Sequence, residues 1–172
     1  MPILKKTDVR PLRPIIMVIY GTPGAGKTSL SNTSENPLLI DCDRGFDRAA
    51  NQVDTLTAQT WEDILSEEGS MKGYKTIIVD TAKSMLDDFL AVYGVKQDYK
   101  LSKNKLKLFG YIADEFKNFV NRRRSDCSDI IFVCHDKETQ EGDLIKHSPD
   151  CTGQSKDLLI RIADQVGFIT MI

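Results

Sequence analysis

The residues best equipped for chemistry sit in one octapeptide near the start of the chain, Gly21-Thr22-Pro23-Gly24-Ala25-Gly26-Lys27-Thr28. Its spacing, G-x-x-x-x-G-K-[ST], is that of a loop that holds polyphosphate. Glycines let the backbone fold tightly around phosphates without a Cβ clash, and successive N–H groups then face the anion. Lys27 has the reach for the β- and γ-phosphates, and the Thr28 hydroxyl is a ligand for Mg²⁺. The flanks support this over an ordinary glycine-rich turn. An apolar run, Ile15-Ile16-Met17-Val18-Ile19-Tyr20, precedes the loop, and the helix-compatible Ser29-Leu30-Ser31 follows it. Gly21, Gly24, Ala25, Gly26, Lys27, Thr28 and Ser29 are the candidate nucleotide contacts.

Three further apolar runs end in polar residues. Leu38-Leu39-Ile40 closes into Asp41-Cys42-Asp43-Arg44-Gly45, and in a parallel sheet ligands sit at the carboxyl ends of strands. Alternation puts Asp41 and Asp43 on one side, so one can face the nucleotide while the other caps a turn. Equally, both can be turn and N-cap residues ahead of Phe46 to Ala50. Tyr74-Lys75-Thr76-Ile77-Ile78-Val79 leads to Asp80, the carboxylate a Mg²⁺ site needs opposite Thr28. Ile130-Ile131-Phe132-Val133-Cys134 leads to His135, which such a sheet would bring near the γ-phosphate. A lone histidine is more often structural.

The elements that position these groups follow from periodicity. Residues 15–20 read as a strand, followed after the loop by a short helix that Asn32, Ser34, Asn36 and Pro37 stop. Thr60 and Asp63 form the start of a helix at Trp61. A helix over 82–93 buries Met85, Leu86, Phe89, Leu90 and Tyr93 and is closed by Gly94. The lysine-rich stretch 95–104 reads as an exposed loop. A long helix over 105–124 carries an apolar stripe of Leu106, Phe109, Ile112, Phe116 and Phe119/Val120, and Arg122-Arg123-Arg124 complements its C-terminal dipole. Residues 138–150 read as a mobile surface loop, 157–166 as a short helix and 167–172 as a fifth strand. Ending on an unprotected apolar strand is unusual, so a missing C-terminal portion is expected.

Bulk properties narrow the classes. The chain has 172 residues, 41% hydrophobic and 28% charged, enough for one well-cored domain. Its division is a lead-in over 1–13 and a single domain over 14–172. The net charge of −2 argues against a broadly basic nucleic-acid surface. No apolar run reaches the ~20 residues of a membrane span, and the N-terminus lacks the apolar core of a signal peptide. Cys42, Cys127, Cys134 and Cys151 show no metal-like spacing and read as buried reduced thiols. A cytoplasmic setting is expected.

With these motifs in order, the chain resembles RecA-like ATPases, most closely the small phage-type RecA-like proteins linked to recombination and single-strand annealing. The resemblance runs from about residue 15 to 172. It rests on Gly21–Thr28, Leu39-Ile40-Asp41-Cys42-Asp43-Arg44-Gly45-Phe46-Asp47, Ile77-Ile78-Val79-Asp80 and Ile131-Phe132-Val133-Cys134-His135. It implies a three-layer α/β P-loop NTPase with a mostly parallel sheet flanked by helices, ATP and Mg²⁺ as cofactors, and ATP hydrolysis in a phage or phage-infected bacterial cytosol. Lys27, Asp43 and His135 would be catalytic, and Thr28 and Asp80 would hold the metal. Single-stranded DNA at 138–150 and a homo-oligomer would be its partners, with Lys156 or Arg161 as a cation donated between subunits. Asp43 is one methylene shorter than the family's usual glutamate, and 138–150 is as acidic as it is basic. A nucleoside-type kinase and a slow-hydrolysing ATP-binding accessory module are the alternatives. A GTPase is disfavoured, because Asp80-Thr81-Ala82-Lys83 lacks the glycine of D-x-x-G.

Overall fold

The strand-forming runs of this chain are apolar on both sides rather than alternating. Ile16, Val18, Leu39, Ile40, Ile77, Ile78, Val79, Ile130 and Phe132 are all buried, as strands of a sheet covered on both faces must be. A computed structural model describes residues 13–171. Its strands are β1 (Ile16–Gly21), β2 (Pro37–Asp41), β3 (Asp54–Thr57), β4 (Thr76–Asp80), β5 (Asp129–Glu141), β6 (Leu144–Pro149) and β7 (Gln165–Ile169). The order is β3-β2-β4-β5-β1-β7, and every neighbouring pair along it is parallel. This seven-stranded, mostly parallel sheet with flanking helices is the three-layer α/β architecture expected.

The helices are α1 (Lys27–Ser31), α2 (Trp61–Ser66), α3 (Leu90–Gln97), α4 (Lys105–Ser125) and α5 (Gly153–Ile162). One face of the sheet packs the larger cluster, in which Trp61, Ile64, Met85, Leu86, Leu90, Phe116 and Phe119 meet Ile16, Val18, Ile40, Ile77, Val79 and Phe132. Each such side chain contributes about 1.5–3 kcal/mol when fully buried. The other face holds a smaller group, Leu39, Ile78 and Val133, against Phe46, Val53 and Ile131. Thr60 caps α2 as its sequence predicts, accepting from the Asp63 N–H while the Asp63 carboxylate accepts from Thr60 N.

Several elements differ from the expectations above. Residues 138–150 are not a loop: β5 runs to Glu141 and pairs antiparallel with β6, from Asp136 opposite Pro149 to Glu141 opposite Leu144. The polar composition hid this strand pair because it projects from the sheet, where no apolar face is required. Strand β3 also escaped detection, since Asp54-Thr55-Leu56-Thr57 at the sheet edge carries little apolar signal. Gly94 does not close its helix. A π-helical stretch, Ser84–Phe89, runs into α3, and Gly94 lies inside α3, where a Cβ would come within 2.8 Å of Tyr111 Cδ1 on α4. Its smallness serves helix packing rather than termination. Part of 95–104 is therefore helical, and Tyr99–Lys103 forms a 3₁₀ turn. Leu106, assigned to the buried stripe of α4, is exposed. The final short helix begins at Gly153, earlier than expected. Cys42, Cys134 and Cys151 are buried free thiols, but Cys127 is exposed. Of the lead-in, 1–12 lies outside the described residues; Arg13 pairs with Asp164 at the foot of β7.

Candidate functional site

The phosphate-type loop joins β1 to α1 at the carboxyl edge of the sheet. Gly24 and Gly26 adopt φ values of 78° and 81°, the left-handed region where only glycine is at ease, and a Cβ at either would meet nothing within 4 Å. Backbone conformation, not crowding, requires them. Gly21 is different: it ends β1, and a Cβ there would sit 1.9 Å from the Ile169 carbonyl of β7. Its absence of side chain lets β1 and β7 pair beside the loop. Lys27 is buried, and its Nζ donates to the carbonyls of Gly21 at 2.9 Å and Thr22 at 2.8 Å. Burial lowers the pKa of this ammonium, against the opposing influence of Asp80 and, more weakly, Cys134 and Asp136.

Strand order brings the other groups to this loop. β5 lies between β1 and β4, with Gly21 opposite His135 and Asp80 opposite Val133. His135 therefore stands between the loop and the Asp80 strand. Thr28 Oγ1 donates to Asp80 Oδ2 at 2.6 Å. Asp80 is buried, which raises its carboxyl pKa, and the neighbouring Asp43 and Asp41 push the same way against the Thr28 hydrogen bond. A buried carboxylate beside a hydroxyl suits a hard divalent cation that takes oxygen ligands. The residues present fit Mg²⁺.

The pair Asp41 and Asp43 divides its work. Asp41, fully buried, accepts from the N–H groups of Asp43 at 3.3 Å, Gly45 at 3.0 Å and Phe46 at 3.3 Å, and so shapes the turn. Asp43 is exposed to the cleft and is held by Thr81, whose Oγ1 donates to Asp43 Oδ2 at 2.8 Å. Gly45 permits this carboxylate its position, since a Cβ there would lie 2.7 Å from Asp43 Oδ1.

These groups line one cavity of about 530 Å³, whose walls include Gly24, Gly26, Lys27, Thr28, Ser29, Asp43, Asp80 and His135. Nδ1 of His135 is buried and has no hydrogen-bond partner among the described residues. Gly21 and Ala25 are not among the lining residues. Two residues that sequence reading missed also face this space, Thr81 and Arg48. Thr81 carries a signal only in the structure, a φ of 61°, which is costly for a β-branched residue. Arg48 follows the Asp43 turn in a 3₁₀ segment, Phe46–Arg48, and adds a second cation to the cleft. Lys156 and Arg161, both on α5, do not line it.

A second cavity of about 530 Å³ lies at the opposite, amino edge, beside Arg122 and Arg123. There Arg122 Nε donates to Glu68 Oε1 at 2.9 Å and Arg123 Nη2 lies 3.1 Å from Asp126. Arg122 and Arg123 of the basic run are thus engaged at the far end of the sheet from Lys27.

Comparison with protein-family models matches residues 13–172 to a family described as an AAA domain. No curated protein matches the chain significantly.

Proposed function

Because the chain belongs to the AAA domain family, and so carries a nucleotide-binding P-loop domain, we propose that it is a Mg²⁺-dependent ATP hydrolase of RecA-like type. The observation that carries this reading is the convergence of Lys27, Thr28, Asp43, Asp80 and His135 on one cavity. In this reading Gly24, Gly26 and Lys27 bind the β- and γ-phosphates, and Thr28 and Asp80 would hold Mg²⁺, whose charge would offset that of the phosphate oxygens. Asp43 orients the attacking water and takes its proton as the oxygen bonds to the γ-phosphorus. The β–γ bridging oxygen leaves with ADP, its charge met by Lys27. Catalysis is then positioning and charge stabilisation, as for phosphoryl transfer in general.

His135, one residue before the β5–β6 pairing that starts at Asp136, would sense the γ-phosphate and pass its presence to the hairpin. We assign the hairpin, on the strength of the resemblance, to contact with single-stranded DNA in recombination or annealing, in an oligomer whose neighbouring subunit supplies Lys156 or Arg161. The nucleoside-kinase alternative loses support because the one arginine run, Arg122–Arg124, ends α4 away from the nucleotide cavity, where Arg122 pairs with Glu68 and Arg123 with Asp126.

The test is phosphate release from ATP with and without single-stranded DNA, and with added nucleoside monophosphates. Hydrolysis stimulated by DNA supports the proposal. Transfer of phosphate to a monophosphate with no free phosphate would replace it with the kinase reading.

A further inference from the structure

The β5–β6 hairpin carries a group of metal-ligand side chains outside the nucleotide cavity. Glu138 and His147 are direct cross-strand partners, and Asp136 lies two residues from Glu138, so all three share one face of the ribbon. One ligand atom from each lies within 4.8 Å of the other two. His147 Nδ1 is 2.6 Å from Asp136 Oδ2, and its ring is packed at 4.8 Å from the ring of Phe168 on β7.

A second observation is independent of this clustering. The Asp136 side chain is only 3% exposed, and its Oδ1 is buried with no hydrogen-bond partner among the described residues. A buried carboxylate oxygen left without a partner is costly, and here a second carboxylate, Glu138, stands beside it. A protonated His147 would offset one of these two charges and meet one Asp136 oxygen. A divalent cation would offset both and engage all three groups.

We propose that the hairpin binds one divalent transition-metal cation of the zinc class through Asp136, Glu138 and His147 Nδ1. An imidazole nitrogen with two carboxylates favours Zn²⁺ and Co²⁺ over Mg²⁺ or Ca²⁺, and three protein ligands leave a further position to solvent. The site staples the two strands of the hairpin at its base. It begins one residue beyond His135, so occupancy stiffens the segment that leaves the nucleotide cavity. The assignment does not depend on ATP hydrolysis.

The test is titration of Co²⁺ into the nucleotide-free full chain, followed by its visible absorption and by calorimetry. One equivalent is expected to bind, without the thiolate charge-transfer band that coordination by a free cysteine would give. Affinity is expected to fall more than about tenfold in Glu138→Gln and His147→Ala and to hold in Asp80→Asn, which alters only the nucleotide cavity. Co²⁺ is also expected to raise the melting temperature of the wild type but not of Glu138→Gln, whose exposed position keeps the fold intact. Absence of binding in the wild type, equal affinity in the hairpin variants, or loss in Asp80→Asn instead would overturn the proposal.

Discussion

Thr81 Oγ1 donates to Asp43 at 2.8 Å while the Thr81 N–H donates to Asp80 Oδ1 at 3.0 Å. One residue thus spans the carboxylate assigned to water and the carboxylate assigned to metal. It does so with a φ of 61°, a conformation that costs a β-branched residue of order 1–3 kcal/mol. Strain of this kind persists only where the surrounding structure holds it, and here Thr81 is tied to both Asp43 and Asp80 at the lip of the cavity.

Loss of the Thr81 hydroxyl should therefore misplace Asp43 rather than weaken nucleotide binding. Thr81→Ala is expected to lower kcat for ATP about tenfold to a hundredfold, the scale of a misplaced reacting group, with KM changed less. Thr81→Ser keeps the hydroxyl and should recover most of the rate. Steady-state kinetics of the three proteins separates positioning from a general loss of structure; an unchanged kcat in Thr81→Ala would remove Thr81 from the site.

Lys27→Ala removes charge-assisted hydrogen bonds to phosphate, worth about 1.5–3 kcal/mol, so nucleotide affinity should fall roughly tenfold to a hundredfold. The fold should survive, because burial disfavours the Lys27 ammonium in the folded chain. Titration with a fluorescent ATP analogue, alongside thermal melting, measures both.

Asp80 gives the stability of the nucleotide-free chain a pH dependence of defined sign. Its folded-state pKa is raised by burial, so the folded chain holds that proton more tightly than the unfolded one. The contribution is complete below the ordinary carboxylate range and is lost as pH rises through the raised folded pKa. Relative to Asp80→Asn, the wild type should thus lose melting temperature between acid and neutral pH. Addition of Mg²⁺ and ATP should close the gap at neutral pH in the wild type alone.

Two glycines in helices make opposite predictions. Gly94→Ala places a Cβ 2.8 Å from Tyr111 Cδ1 and should destabilise by about 1–3 kcal/mol through overpacking. Gly110→Ala, with nothing within 4 Å of the new atom, should stabilise α4 by about 0.8–1 kcal/mol. Denaturant midpoints of the two variants check the pair, and neither should alter nucleotide affinity.

The sheet and the loop were legible from the residues because buried parallel strands announce themselves as apolar runs and the loop by its glycine spacing. Asp80 and His135 were found because each ends such a run. The hairpin over 138–150 was not, since Lys137, Glu138, Thr139 and their partners extend into solvent, where a strand needs no apolar alternation. Thr81 and Arg48 went unseen for a different reason. Nothing in their types or spacing distinguishes them, and their importance arises from a backbone angle and a wall that exist only once β2 and β4 lie side by side. Gly94 shows the limit of reading glycine as a stop, since close packing of α3 on α4 gives the same residue another cause.

In the proposed hydrolysis Asp43 acts on water within an intact phosphate site. The most direct measurement compares phosphate release and MgATP affinity in the wild type, Asp43→Asn and Lys27→Ala, with single-stranded DNA present. The wild type should release phosphate; Asp43→Asn should bind MgATP as the wild type does yet turn over at least about a hundredfold more slowly; Lys27→Ala should lose binding as well. Equal turnover in the wild type and Asp43→Asn, or negligible turnover in all three proteins, would contradict it.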